Sequence, residues 1–123
     1  MRAAPVTVTL PGGAVVCDAC AVADRPLSRM RGLLGRRELP AGEGILLRPA
    51  WSIHMFFMRF AIDAVFIDRE GIVLRVAEHL PPWRTASKRG ARAVIELAAG
   101  ECARRGVRVG QRLELHPRTA SDD

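Results

Sequence analysis

Lysine is almost missing from this 123-residue sequence: of its 19 basic residues, only Lys88 is not an arginine. Long apolar stretches are missing too, because charged residues interrupt each one before the ~20 residues that a membrane-spanning helix needs. The opening residues 1–13 contain no apolar segment of the kind found in secretion signals. We therefore expect a cytoplasmic protein that does not interact with membranes.

The motifs of several enzyme classes are also absent. The sequence has no phosphate-binding loop, no G-x-G-x-x-G, no nucleophile elbow and no kinase motif. Cys17 and Cys20 form a C-x-x-C, and Cys102 is a third thiol, but no second C-x-x-C or H-x-x-x-H completes the four ligands of a zinc site. A redox or zinc role for the pair is the less favoured alternative. We expect no metal and no cofactor.

The three cysteines are better explained as small buried hydrophobic side chains in a reduced protein. In a strand, Cys17 and Cys20 would face opposite sides of the sheet and could not form a disulfide without a bend.

Length and composition indicate one domain with a real core. Hydrophobic residues make up 49% of the chain, which is enough to bury a core at this length. We expect a single domain over 1–123, ordered from about 6 to 116, with a flexible tail over 117–123. The net charge of +6 suggests an acidic partner, although the one-sided use of arginine is also typical of GC-rich coding.

Hydrophobic periodicity predicts a mostly β domain of the α+β class, a small β-barrel or β-sandwich with one short α-helix and one helical turn. Val6–Leu10 and Ala14–Val22 should form a hairpin around a Pro-Gly-Gly turn. A helix should begin near Asp24 and end at Gly35. The segment 51–68 is apolar on both faces, as a central strand is. Further strands are predicted at 45–47, 72–80, 93–97 and 107–115, a type I turn at 68–71, and a helical turn at 101–105.

Four motifs together resemble a known family. They are R-x-x-GLLGR-x-x-L at Arg29–Leu39, IH-x-x-x-MRF-x-ID-x-x-FID-x-x-G-x-V at Ile53–Val73, ELAAG at Glu96–Gly100 and GVRVGQRLEL at Gly106–Leu115. In this order and spacing they resemble domain of unknown function family 192, which is widespread in bacteria and archaea. The resemblance implies a small β-rich fold of barrel or sandwich type with a short helix, and it implies no established activity.

Polar residues inside apolar strands mark a candidate ligand pocket. On a strand, Arg59 and Asp63 would face the same side. Glu96 lies between apolar residues of another strand. Charges in such places must be paired or neutralised. One interpretation is a buried arginine–carboxylate ion pair that fixes sheet register; the other is a pocket in which Arg59 holds an anion in a bidentate fashion. The candidate ligand-binding residues are Trp51, His54, Met58, Arg59, Asp63 and Glu96.

His54 leaves several interpretations open. It is either a core histidine whose nitrogens bond to backbone groups, or a functional base, ligand or anion contact. Together with Met55 and Met58 it suggests a soft-metal site, but on a strand His54 and Met58 would lie about 13 Å apart, and Met55 would face the other way. The strand spacing therefore argues against one ion bound by all three.

A second candidate surface is the segment 83–92, which has the composition of a contact with single-stranded nucleic acid. It combines one aromatic ring with four cations and contains no acid. A solvated basic loop has the same composition. The residues concerned are Trp83, Arg84, Lys88, Arg89 and Arg92.

Three functions follow from these observations. The favoured one is a non-enzymatic binding module for a small anionic molecule or a partner protein segment. The first alternative is a nucleic-acid-binding protein that uses the basic 84–92 loop. The second alternative is an enzyme with His54 as general base and a carboxylate partner.

Overall fold

The structure, a computed structural model, describes residues 5–23 and 38–118. Within these residues the chain forms nine strands and one short helix, so the predicted mostly β class is confirmed. The strands are β1 (Val6–Thr9), β2 (Val15–Ala23), β3 (Glu43–Leu47), β4 (Ser52–His54), β5 (Ile62–Ile67), β6 (Val73–Leu80), β7 (Thr85–Ser87), β8 (Ala93–Ala98) and β9 (Glu114–Pro117), and the helix α1 spans Glu101–Arg105.

β1 and β2 form the predicted hairpin. At its turn the N–H of Leu10 donates to the carbonyl of Ala14 at 2.8 Å, and that of Gly13 donates to the carbonyl of Leu10 at 2.9 Å. Gly12 and Gly13 have φ values of 97° and 98°, which glycine adopts without a clash of a Cβ atom. On its other edge β1 pairs with β9.

Seven strands form one open sheet in the order β6-β5-β8-β3-β2-β1-β9. β2 and β3 are parallel, and all other neighbours are antiparallel. β5 and β8 lie inside the sheet and are buried almost throughout, which explains their uninterrupted apolar sequences. The described strands do not close into a ring, so a closed barrel is not confirmed.

Apolar layers cover both faces of this sheet. Along β5, Ala64 and Phe66 belong to one layer and Val65 and Ile67 to the other, as expected from the two-residue period of a strand. β4 and β7 form a separate two-stranded sheet that contributes Ile53 and Ala86 to the first layer. This small sheet therefore lies over the first face of the large one.

The single strand predicted over 51–68 is wrong. The chain forms β4, then turns over 55–61, and only then enters β5. Within the turn the N–H of Met58 donates to the carbonyl of Met55 at 3.2 Å, and both side chains are buried in the first layer. Their apolar character reflects burial of a folded turn, which hydrophobic periodicity does not distinguish from a central strand.

The predicted turn after β5 is confirmed. The N–H of Gly71 donates to the carbonyl of Asp68 at 3.0 Å, and Gly71 has a φ of 87°. The predicted helical turn is also confirmed as α1, which Gly106 ends with a φ of 74°.

Other predictions are wrong or lie outside the described residues. The strand predicted over 107–115 begins only at Glu114. The predicted helix over 24–35 and residues 119–123 of the predicted tail lie outside the described residues.

Candidate functional site

Residues 50–55 and 83–92 run side by side and are called the ribbon below. β4 pairs with β7 in the middle, where Ser52 lies opposite Ser87. At one end the N–H of Ala50 donates to the carbonyl of Arg92 at 3.0 Å. The ribbon therefore joins part of the predicted ligand site to the predicted nucleic-acid segment, which the sequence analysis treated as separate.

Four rings form a row at the other end of the ribbon. The rings of His54 and Phe56 stack with centroids 4.8 Å apart, and Phe56 stacks with Trp83 at 6.0 Å. Phe57 meets Trp83 edge to face at 4.8 Å. All four residues are exposed, Phe57 at 70% and Trp83 at 58%, although large apolar side chains are usually buried. A contiguous exposed row of this kind is typical of a binding surface.

Two of these aromatic residues have a strained backbone. Phe57 has a φ of 66° and Trp83 a φ of 70°, a region that bulky residues rarely occupy and that costs of order 1–3 kcal/mol each. The backbone of Met55 holds this arrangement, because its carbonyl accepts the N–H of Trp83 and its N–H donates to Arg84, both at 2.7 Å. Strained backbone of this kind is found mostly at active sites, ligand-binding segments and switch regions.

The inner side of the ribbon is apolar. Ile53, Met55 and Ala86 are buried against the sheet, and so is Met58 from the following turn. The structure therefore places Met58, a candidate ligand-binding residue, in the core rather than on the exposed surface.

The ribbon and its flanking segments carry positive charge without any acid. Residues 44–62 and 79–95 contain no Asp or Glu. The side chain of Arg75, on β6, reaches the ribbon through a 2.8 Å hydrogen bond to the carbonyl of Ser87. The cations of the two acid-free segments are Arg48, Arg59, Arg84, Lys88, Arg89 and Arg92, all of them exposed.

Asp63 is fully buried, and both of its carboxylate oxygens accept hydrogen bonds from backbone N–H groups. Its Oδ1 accepts the N–H of His79 at 2.9 Å, and its Oδ2 accepts those of Gly100 and Cys102 at 3.1 and 2.9 Å. These bonds tie β5 to the end of β6 and to the first turn of α1. The structure therefore gives Asp63 a structural role and does not bring it to the ribbon surface.

Glu96 is also buried, between Ile45 of β3 and Ala64 of β5. Burial raises its pKa to about 7. Arg59 lies exposed in the turn after β4 and, within the described residues, forms no ion pair with either candidate carboxylate. The predicted buried arginine–carboxylate pair is therefore wrong, because Arg59 does not lie on the strand that carries Asp63.

The cysteine pair differs from its predicted geometry. Val6 pairs with Cys20 and Val8 with Cys17, so β2 carries one extra residue and forms a β-bulge. The bulge turns both thiols into the same apolar layer as Cys102, where all three are unoxidised and fully buried. The predicted burial is confirmed, and the predicted opposite orientation is wrong.

The contact between the thiols of Cys17 and Cys20 shifts their pKa values in opposite directions. The hydrogen bond with Cys20 lowers the pKa of Cys17, whereas the same contact and burial raise the pKa of Cys20. Burial, together with the nearby carboxylate of Asp63, raises the pKa of Cys102. Among the described residues, no group of three or more His, Cys, Asp or Glu side chains is arranged to hold a metal ion.

His54 is exposed, and its Nδ1 accepts the N–H of Phe56 at 3.4 Å. In the part of the chain that the structure describes, no carboxylate is hydrogen-bonded to the His54 ring, so the enzyme alternative gains no geometric support. His54 lies at the end of the row of rings, where its ring stacks on that of Phe56.

Sequence reasoning missed two aromatic residues and one cationic cleft. Phe56 and Phe57 were assigned to a buried strand, although the absence of acid over 44–62 is a signal that could have marked this segment as part of the basic surface. Arg48 and Arg69 line a cleft together with Arg92. The sequence does not indicate this cleft, because the three arginines lie in three separate parts of the chain.

Comparisons with known proteins agree with this fold. The family model of DUF192, described as an uncharacterized ACR, matches residues 7–115. A crystal structure of a protein of unknown function from Novosphingobium aromaticivorans is similar, with 27% identity, a TM-score of 0.77 and coverage of 89% of this chain and 83% of that chain. A candidate transcription regulator from Sinorhizobium meliloti has 26% identity, a TM-score of 0.79 and coverage of 94% and 96%.

No curated protein matches the sequence. In the described residues, no helix is both long and apolar enough to cross a membrane.

Proposed function

The chain belongs to the DUF192 family, which is uncharacterised, and we propose that it is a non-enzymatic module that binds single-stranded nucleic acid on the ribbon. A cytoplasmic location, which the sequence predicts, belongs to the same proposal. The observation that carries the proposal is the row of exposed rings formed by His54, Phe56, Trp83 and Phe57 on an acid-free, cationic surface.

The rings supply the first requirement for single-strand binding. Unpaired bases stack on exposed aromatic side chains at about 1–3 kcal/mol per base, largely independently of sequence. Phe57 and Trp83 are each more than half exposed, and the Met55 backbone fixes the position of Trp83. A surface fixed before binding loses less conformational entropy when the ligand arrives.

The cations supply the second requirement. Arg84 follows Trp83 directly, and Lys88 and Arg89 continue along the same segment. Such side chains neutralise backbone phosphates and release counterions, which accounts for most of the affinity in non-specific complexes. Within the described residues, none of these three cations forms an ion pair with a carboxylate.

The small-anion pocket is less well supported than the exposed surface. In that pocket Asp63 or Glu96 would orient an anion held by Arg59, and both carboxylates lie inside the fold. The Sinorhizobium neighbour, described as a candidate transcription regulator, adds a modest argument for nucleic acid.

The test is a binding titration with a fluorescently labelled single strand of roughly 12 nucleotides, within the ~4–16 that single-strand folds cover. Fluorescence anisotropy at low salt should show saturable binding, and unlabelled single strand should compete better than duplex. Trp83→Ala should weaken binding roughly tenfold, the loss expected for one stacking ring. Val109→Ala is the matched control, because Val109 is equally exposed but lies on the loop after α1.

Two outcomes would overturn the proposal. Absence of binding to single-stranded DNA and RNA at low salt is the first. Equal competition by a polyglutamate peptide is the second, because it would show that the surface binds acidic chains of any kind.

A further inference from the structure

A cleft lined by three arginines lies where the ribbon ends. Arg48, Arg69 and Arg92, together with Pro49, enclose a shallow depression of about 500 Å³. Arg48 follows β3, Arg69 lies in the turn between β5 and β6, and Arg92 immediately precedes β8. The three guanidinium groups therefore come from three separate connections at one end of the sheet.

Backbone hydrogen bonds fix these connections to one another. The N–H of Arg92 donates to the carbonyl of Ile67 at 2.8 Å, while the carbonyl of Arg92 accepts the N–H of Ala50 at 3.0 Å. The N–H of Arg48 donates to the carbonyl of Ala23 at 3.2 Å. The cleft is thus built on ordered backbone, although the side chains that line it are exposed.

Within the described residues, no ion pair offsets the positive charge of the cleft. No described acid lines it, and none of its three arginines forms an ion pair with another described residue. Asp68 is next to Arg69 in sequence, but its Oδ1 accepts the N–H groups of Glu70 and Ile72 at 2.8 and 3.0 Å. Guanidinium groups that line one cleft repel one another, and a bound anion offsets that repulsion.

Guanidinium groups recognise phosphate through planar, bidentate hydrogen bonds. We propose that the Arg48–Arg69–Arg92 cleft binds a phosphate group and prefers a dianionic monoester to a singly charged diester. Three cationic forks match the three terminal oxygens of a monoester, and the second negative charge strengthens each contact.

The cleft also continues the ribbon. Ala50 bonds to Arg92, and the next residue, Trp51, accepts the N–H of Lys88 at 2.9 Å. A strand stacked on Trp83 at the far end would therefore lead along the ribbon to the arginines. The proposal that the cleft binds phosphate depends only on the geometry of the cleft. The proposal that the cleft recognises the end of a nucleic-acid strand rests on the proposed function.

The first arm of the test uses inorganic phosphate and pyrophosphate as probes. Either should raise the melting temperature above that in potassium chloride of equal ionic strength, because a ligand specific for the folded state stabilises it. Arg69→Ala should abolish this shift, and Arg108→Ala, which removes an exposed arginine outside the cleft, should retain it. No shift beyond that of chloride, or an equal shift in Arg69→Ala, would overturn the site.

The second arm compares single strands that carry either a phosphate or a hydroxyl at one end. The wild type should prefer the phosphorylated strand roughly tenfold, as expected for charge-assisted hydrogen bonds, and Arg69→Ala should lose the preference. A shift with phosphate but no strand preference would support the cleft and overturn its link to the strand. Phosphate binding without any strand binding would overturn the proposed function and leave the cleft standing.

Discussion

The ring of Phe57 meets the ring of Trp83 edge to face, with centroids 4.8 Å apart, and both residues have positive φ. Neither ring is buried by this contact, so apolar burial does not compensate for the backbone strain. The turn after β4 and the start of the 83–92 segment thus present two rings to solvent side by side. Strain of this kind persists where the rest of the fold enforces it.

Replacing Phe57 by asparagine should separate stability from binding. Asparagine tolerates left-handed φ better than phenylalanine, so the variant should be more stable by about 1 kcal/mol. The same change removes one stacking ring and should weaken single-strand binding roughly fivefold. Chemical denaturation and anisotropy measure the two effects. Phe56→Asn is the control, since Phe56 has no positive φ and should lose binding without gaining stability.

The salt dependence of binding should report phosphate contacts on the ribbon. Removing one cation–phosphate contact lowers the slope of log K against log salt by about 0.7 for single strands. Arg84→Ala should show this reduction for every strand sequence tested. Arg108→Ala should keep the wild-type slope, and an identical reduction in both variants would assign the effect to net charge alone.

Asp63→Asn should destabilise the fold without involving the ribbon. An amide offers one acceptor oxygen where the carboxylate has two, so its NH₂ group must face at least one of the N–H donors of His79, Gly100 and Cys102. We expect a loss of about 2–4 kcal/mol in the free energy of unfolding. The control is Asp18→Asn, at an exposed residue of β2, which should cost little. A wild-type midpoint in the Asp63 variant would contradict this structural role.

Glu96→Gln should change how stability depends on pH. Burial raises the pKa of Glu96 to about 7 from the ordinary value of 4.5, so between these values the folded state binds a proton that the unfolded state has released. Stability from this group is complete below pH 4.5 and is lost as pH rises to 7, by on the order of 3 kcal/mol at most. The variant should match the wild type at pH 4 and exceed it at pH 8. An equal difference at both pH values would show that Glu96 does not titrate in this range.

Local signals in the sequence predicted much of the fold. The Pro-Gly-Gly hairpin and the turn at Asp68–Gly71 are confirmed because glycine chemistry fixes such turns through neighbouring residues alone. The strand over 51–68 failed because Met55 and Met58 are buried by a turn, and burial by tertiary packing leaves the same apolar pattern as a strand. The predicted opposite orientation of Cys17 and Cys20 failed for a related reason, because the extra residue of a β-bulge is defined only by pairing with the neighbouring strand.

The candidate site was likewise predictable from the sequence only in part. The composition of 83–92 was visible from the sequence, and so was the unusual position of His54. Their pairing across the ribbon was not visible, because it depends on contacts between residues about 30 positions apart in the chain. Asp63 attracted a functional interpretation because a buried carboxylate needs partners, and those partners are backbone N–H groups that no sequence pattern records.

Fluorescence of Trp83 provides the most direct test of single-strand binding on the ribbon. The protein has two tryptophans, so Trp51→Phe leaves Trp83 as the single emitter while keeping an aromatic ring at position 51. Single-stranded oligonucleotide should quench this emission saturably, with the same midpoint as anisotropy, because a base stacks on the indole. Unchanged emission at oligonucleotide concentrations that saturate anisotropy would contradict the account, since the strand would then be bound away from the ring row.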